Sequence, residues 1–572
     1  MIIGDNIIQS FQQVVRKYPH KKALMYKEDG VYRSINFDEF WERVRVVSAS
    51  LQKLGIRRGD KVAILSNNRP EWAITDLATM MIGAVVVPIH MNLSAKIINY
   101  ILNHCEAKII VVSSEEQLNK ISQAELNSLG NLIFLGEISD EINSKWKSII
   151  GWKEFVAEGG KGLDQEFELS IKEDDVCTII YTSGTTGLPK GVELTHKNLL
   201  SDAFMTNLSV PIRDTDIFLS FLPLSHVLER TAGYYIPLFC GSTIAYAESI
   251  KTLAENLKEI RPTILICVPR IFEKFYDGIW DKAKKKKLSK IMFHWSLKQK
   301  KGLGKFLAQI IVFGKIKKVF GGRLRLAISG GASLNEKMAK FFHKMGILIL
   351  EGYGLTETSP VVSANRENNY KFGTVGLPLD GVEVKITAEK EILVKGDNVM
   401  RGYYHNPQET ADAIDEDGWF HTGDFGFIDS DGFLIVIGRK KEMIVTSGGK
   451  NIWPEHIETE LNYDRFIAQS IIVGHKQKFI SALIVPSRKE LTEHLKEKGI
   501  DKYDFGDPII EQIYNRCIDK VNCNLSDYEK IRKFALLPRD FSQELEEVTP
   551  TLKIRRNAIE HHFQDVINKM YN

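Results

Sequence analysis

Within eleven residues, Tyr181-Thr-Ser-Gly-Thr-Thr-Gly-Leu-Pro-Lys-Gly191, the chain gathers aliphatic hydroxyls, glycines and a lysine. Thr182, Ser183, Thr185 and Thr186 offer hydroxyl donors. Gly184, Gly187 and Gly191 allow the backbone to turn its N–H groups toward a ligand. Lys190 adds one mobile positive charge. This is the chemistry that holds a polyphosphate. The apolar run Val176 to Tyr181 reads as a buried strand leading into it. A GxxxxGK[ST] loop would pass straight into a helix. Here Lys190 lies between Pro189 and Gly191, and Pro189 disfavours a helix at that point. Read alone, the segment is also open to a plainer account as a polar surface turn.

Six further stretches carry groups that suit the same ligand. Pro223-Leu-Ser-His-Val-Leu-Glu-Arg230 sets His226 and Arg230 beside the apolar run Ala232 to Cys240, where a lone histidine is equally a structural one. Ser329-Gly-Gly-Ala-Ser333 follows a strand, and Gly330, Gly331 and Ala332 let a flat base lie against backbone. In Glu351-Gly-Tyr-Gly-Leu-Thr-Glu-Thr358, Tyr353 can stack on adenine, and Thr356 can reach an α-phosphate. Glu357 supplies an oxygen for Mg²⁺; Glu351, Gly352 and Gly354 belong to the same wall. Either glycine pair, taken singly, is also compatible with a simple turn. Asp417 to Asp424 ends on an acid that can accept both ribose hydroxyls, as acids do in dinucleotide sites. Gly438 to Ile457 opens with Arg439, which could touch the ribose too. Thr549-Pro-Thr-Leu-Lys-Ile-Arg555 brings Lys553, locally no more than a charge in a basic terminus.

In this order, over roughly residues 20–565, the seven segments resemble the acyl-adenylating superfamily: acyl-CoA synthetases, luciferases and peptide-synthetase adenylation domains. The Asp417–Ile457 block is most similar to long-chain fatty acyl-CoA synthetases. The resemblance implies ATP, Mg²⁺ and CoA as partners of a fatty acid. A carboxylate joins AMP with loss of pyrophosphate, then passes to a thiol. It also implies residue roles. Thr182, Lys190, Thr356, His226 and Lys553 serve catalysis. Ser183 to Gly187, Gly330 to Ala332, Glu351 to Gly354, Asp424 and Arg439 hold nucleotide. Thr182 and Glu357 face the metal. Lys441 is the hinge, and Gly448, Gly449 and Lys450 meet pantetheine. The usual Gly-Lys at the catalytic lysine is Leu552-Lys553 here. An acyl carrier protein as acceptor, a medium-chain or aryl acid as substrate, and a silent nucleotide-binding scaffold are the alternatives.

These groups need elements to position them. Strand and helix alternate from Lys61 onward: Lys61–Ser66, Glu71–Ile82, Ala84–Ile89, Ser94–His104 and Lys108–Ser113. The rhythm returns at 217–222, 243–247, 264–268, 325–329 and 347–350. That predicts an α/β fold of doubly wound, mostly parallel sheets with a smaller sheet subdomain, in an N-terminal domain over 1–438. The texture then changes to short mixed strands and helices, predicting a small mobile α+β lid over 439–572.

The 572 residues carry a net charge of +3, too little to point to nucleic acid. The six cysteines show no metal spacing. With no signal-like start and no span long enough for a bilayer, a cytoplasmic protein is expected. Residues 281–305 hold ten lysines against Asp281 alone. Leu288, Ile291, Met292 and Trp295 share one helical face. The segment is expected either to pack that face on the domain or to touch a membrane. Oligomeric state is not legible.

Overall fold

The computed structural model describes residues 1–122, 126–146, 148–161, 170–182, 188–284, 287–299, 302–549 and 553–572, with Lys284 and Lys287 described by backbone alone. Two large sheets form the body. One runs parallel through Ile217–Ser220, Thr243–Tyr246, Ile264–Cys267, Leu326–Ser329 and Leu348–Gly354. Its edge is the hairpin Lys22–Glu28 and Val31–Asn36, turned at Asp29 and Gly30, both with positive φ. The other sheet joins Lys61–Leu65, Val85–Pro88, Ala107–Val112, Asn131–Phe134 and Ile149–Gly151 in parallel. Their near-continuous apolar sequences suit strands covered on both faces.

Val176–Thr182 pairs parallel with Val85–Pro88 and antiparallel with Lys190–Thr195, so Thr182 lies opposite Lys190. The strands on either side of the glycine-rich stretch are therefore antiparallel neighbours. Pro189 cannot donate to a ladder and comes just before the second strand begins.

The helix Phe37–Lys53 starts where the sequence caps it. Asn36 accepts from Glu39 N at 2.7 Å while the Glu39 carboxylate accepts from Asn36 N at 3.1 Å, a reciprocal cap for the helix Phe37–Lys53. Its buried stripe, Phe37, Phe40, Val44, Val47 and Leu51, follows the helical repeat. Deep in the body, Arg230 pairs with Asp76, and both are fully buried. Arg230 also donates to Thr178 Oγ1 (2.7 Å), and Tyr235 Oη donates to Asp76 Oδ2 (2.8 Å). Losing either partner would strand a buried charge at a cost of ~3–5 kcal/mol. Arg230 thus ties two layers together.

A third, antiparallel sheet of Glu383–Ile386, Glu391–Lys395, Phe420–Ile428 and Leu434–Arg439 closes the body. The C-terminal unit follows: a sheet of Ile467–Val473, Ile480–Pro486 and Ile531–Leu536, packed with helices such as Pro454–Asn462 and Pro508–Asn522. The chain's last described helices are two, Arg556–His562 and Gln564–Tyr571. The chain leaves helical angles at Phe563, whose ring is buried under Arg539.

Residues 281–305 differ from the packed-face expectation. Two helices, Lys287–Lys298 and Gly302–Ala308, cover this region. Phe293 and Ser296 are buried, while Leu288, Ile291 and Trp295 are exposed. Among the described residues no helix is long and apolar enough to cross a membrane, and all six cysteines are free.

Candidate active site

One cavity of about 1170 Å³ lies between the body and the C-terminal unit. Thr182, Lys190, Thr356, Glu357, Arg439, Lys441 and Lys553 all reach it. They come from hairpin, loop, sheet edge and C-terminal segment, which no local sequence pattern would link.

At one end of the cavity, cations gather. Lys190 forms an ion pair with Glu409 and sits 5.1 Å over the Tyr403 ring. Burial, Lys190 and Arg439 together lower the pKa of Lys441. Lys553 is pushed down to about 8 by burial and then by Arg439, against the pull of Glu455 and Asp424. Cations crowded enough to depress one another are a site for a polyanion. Glu357 stands among them, its Oε1 accepting from Tyr403 Oη at 3.0 Å. No cluster of three metal-ligating side chains occurs among the described residues. One carboxylate with a nearby hydroxyl fits Mg²⁺, which takes few protein ligands and keeps phosphate oxygens and water.

The wall beside these charges is ordered by a cross-strand pair. Asp424 and Arg439 are directly opposite in the antiparallel sheet, with Arg439 Nε 3.1 Å from Asp424 Oδ1. Tyr353 Oη donates to Asp424 Oδ2 at 2.7 Å. Burial pushes the Asp424 pKa up, and Arg439 and Tyr353 oppose it. Among the described residues no hydrogen-bond donor is aligned on Oδ1. Such an atom suits a ribose hydroxyl. Gly331, at φ +84, passes under Lys553, whose Cε would be 3.7 Å from a Cβ placed there.

Residues 11–404 match the model of the AMP-binding enzyme family, and 441–572 that of the AMP-binding enzyme C-terminal domain. The chain belongs to the AMP-binding enzymes. It is 35% identical to the long-chain-fatty-acid–CoA ligase FadD15 of Mycobacterium bovis, over 99% of this chain and 97% of that one. It is 31% identical to the long-chain-fatty-acid–CoA ligase ACSBG2 of Homo sapiens, covering 99% and 92%. The crystal structure of the anthranilate CoA ligase AuaEII in complex with anthranoyl-AMP has the same fold, with a TM-score of 0.78 at 20% identity over 98% of both chains. The resemblance stated from sequence is thereby the family of the chain.

In this AMP-binding enzyme the expected site residues divide by place. Gly330, Gly331, Glu351, Gly352, Tyr353, Gly354 and His226 line the cavity with the charged groups above. Burial pushes Glu351 up to about 8, against the pull of the Leu334 N–H, from which it accepts at 3.2 Å. Ala332 is exposed, and Gly448, Gly449 and Lys450 are exposed on the C-terminal unit, away from the cavity. Ser183, Gly184, Thr185, Thr186 and Gly187 lie outside the described residues, as do Pro550 to Leu552.

The cavity lining also includes His226 and the apolar side chains Val210, Ile212, Val227, Ala232 and Ile236. Burial, His90 and Lys553 lower the pKa of His226 to about 3, so the ring is neutral. Its Nδ1 accepts from Leu228 N at 3.2 Å, which leaves the proton on Nε2. Sequence reasoning missed His90, whose ring lies 6.1 Å from that of His226 and whose Nδ1 is 2.6 Å from Ser225 Oγ. The signal was there: His90 follows a parallel strand at its C-terminal end, where open α/β sheets bind ligands. Tyr403 and Glu409 were missed as well. Nothing around them in the sequence marks them.

Proposed function

We propose that this chain activates a long-chain fatty acid with ATP and transfers the acyl group to CoA. The body is residues 1–438 and the mobile lid is 439–572. The observation that carries the reading is that Lys190, Glu357, Tyr353 and the lid's Lys553 line one cavity that is also partly apolar, with Asp424 bonded behind Tyr353.

In the first half-reaction a carboxylate oxygen attacks the α-phosphorus of ATP, and the bond to pyrophosphate breaks. Charge shifts along phosphate oxygens, so fixed cations and donors do most of the work. Lys190, released from Glu409, holds the outer phosphates. Thr356 and Lys553 face the α-phosphate, and the acyl carboxylate rests against His226 Nε2–H. Asp424 accepts the ribose hydroxyls, and Tyr353 packs on the base. Glu357 and Thr182 would hold Mg²⁺, which spreads the phosphate charge. The apolar side chains of the cavity take the acyl chain.

In the second half-reaction the CoA thiolate attacks the acyl carbonyl and AMP leaves. Lys553 then has no task at the centre. Rotation of the lid about Lys441 withdraws it and brings in the Gly448–Gly449 loop, a hinge motion of a familiar kind. Peripheral contact of the 281–305 segment with a membrane belongs to the same reading.

The test is a panel of acids from acetate to oleate with ATP, Mg²⁺ and CoA, reading AMP formed. Long chains should give the most AMP and yield thioester. Equal turnover of acetate, or none of any acid, would overturn the assignment.

A further inference from the structure

Helix Lys287–Lys298 and helix Gly302–Ala308, with the wider turn Gln309–Phe313 that continues it, lie side by side on the body. Each has two apolar faces. The inner one is satisfied: Phe293 packs edge-on to Trp280 at 4.9 Å, and Ala308 and Phe313 are buried. The outer one is bare. Leu303, Phe306, Leu307, Ile310 and Ile311 recur at helical spacing, and Leu303 and Phe306 are 73% and 61% exposed. Leu288, Ile291 and Trp295 repeat the pattern on the neighbouring helix, with Leu288 68% exposed. Among the described residues, eight of the eighteen exposed large hydrophobics fall in this one stretch. A patch so concentrated marks an interaction surface.

The charge around it chooses the partner. From Asp281 to Glu336 no acid intervenes, and the stretch between holds thirteen lysines and two arginines. Lys290, Lys298 and Lys305 are exposed on the two helices. A second copy docked face to face would set lysine against lysine. An anionic bilayer offers both what the leucines and the lysines need: acyl chains below, phosphate headgroups at the rim.

We propose that residues 288–299 and 302–311 form an amphipathic docking surface that seats the protein on anionic phospholipid membranes, with Phe306 and Ile310 inserted and Lys290, Lys298 and Lys305 at the headgroups. The proposal deepens the peripheral contact given above and rests on that reading for its purpose, delivery of a membrane-dissolved acid. It does not depend on catalysis for its test.

Sedimentation with vesicles decides it, using the full chain without nucleotide. The vesicles are pure phosphatidylcholine, or phosphatidylcholine with about 30% phosphatidylglycerol. Binding should favour the anionic vesicles by at least ~10-fold at low salt and fall as salt rises. Each of Lys290→Glu and Lys305→Glu should weaken it about 5-fold. F306S with I310S should weaken it at least as much, while pyrophosphate release with a soluble medium-chain acid and the melting temperature stay unchanged. Absence of vesicle binding by the native chain at low salt would overturn the proposal, as would native-like binding by F306S/I310S. So would a concentration-dependent dimer that F306S/I310S dissolves, since the face would then belong to a second copy. A chain that binds vesicles but adenylates no acid would sink the functional reading and leave this surface standing.

Discussion

Lys553 and the Gly448–Gly449 loop belong to one C-terminal unit but occupy opposite situations. Lys553 is inside the cavity, its stem against Gly331, its ammonium held down by burial and Arg439. The loop stands in solvent: nothing lies within 4 Å of a Cβ at Gly449, and Lys450 leans over the Tyr528 ring at 5.7 Å. Its turn is held by Gly449 N donating to Thr446 O at 2.9 Å and Ser447 N to Gln477 O at 2.9 Å, with Gly449 at φ +70. The difference is that Lys553 lines the cavity while Gly448 and Gly449 do not. On the function proposed above, two half-reactions sharing one cleft would require the unit to turn.

Removing Lys553 should separate the halves most sharply. Lys553→Ala is expected to slow pyrophosphate release ~10²–10³-fold, the scale of one lost transition-state donor. Conversion of supplied acyl-AMP and CoA to thioester should stay within a few-fold of native. Equal loss of both would remove Lys553 from its proposed role. Gly449→Phe is the reverse experiment. It should cost thioester formation ~10²-fold, as misplacement at a reacting centre does, and spare pyrophosphate release. An unaffected thioester step would detach this loop from CoA.

Asp424→Asn probes the wall that both orientations share, so both half-reactions should feel it. The change keeps the shape but weakens the contacts to Tyr353 Oη and Arg439 Nε. A loss of about 1.5–3 kcal/mol, typical of a hydrogen bond to a charged group, means roughly 10- to 10²-fold in KM for ATP and in the affinity for AMP. An ATP KM that does not move would place the ribose elsewhere.

How much of this could be read from the chain depends on how local each signal is. The parallel sheets were legible because apolar runs such as Lys61–Leu65 and Val85–Pro88 alternate with helices such as Pro70–Met81 at short range. The charged segments were legible because their residue types are rare in combination. The outward face of residues 288–299 and 302–311 was not, because periodicity finds an apolar stripe without saying which way it points. There Phe293, off the counted stripe, won the core position. Tyr403 and Glu409 escaped for another reason. Each acts on a residue distant in sequence, as in Tyr403 Oη to Glu357 or Glu409 to Lys190.

Titration offers a way to sharpen the contrast without mutating the loop. A lysine whose folded pKa is about 8 is cationic below that value and loses its charge above it. For adenylation the charge is wanted, so kcat/KM for ATP should be level below pH 8 and fall about tenfold per unit above it. His226, at about 3, stays neutral throughout and contributes no limb. Lys553→Arg should carry the alkaline limb beyond the measured range, because guanidinium keeps its proton. The thioester half, run from acyl-AMP, should lack the limb that Lys553 imposes on ATP. An alkaline limb that survives in Lys553→Arg belongs to another group.

The smallest effects are expected where the lid touches the body outside the cavity. Glu455 Oε1 accepts from Ser333 Oγ at 3.0 Å, and Glu460 accepts from Asn335 Nδ2 at 3.0 Å and pairs with Lys337 at 2.6 Å. On the function proposed above, these contacts, made while Lys553 lines the cavity, would bias the hinge toward adenylation without touching substrate. The exposed pairs Glu455–Ser333 and Glu460–Lys337 are worth ~0.2–1 kcal/mol each, enough to shift a two-state lid by a factor of about 1.5 to 5. Lys337→Ala should therefore lower the rate of pyrophosphate release slightly and raise that of thioester formation from acyl-AMP by a similar factor. Opposite signs are the informative part. A surface residue with a merely structural role would lower both rates or neither, whereas a shift in hinge population must move them apart.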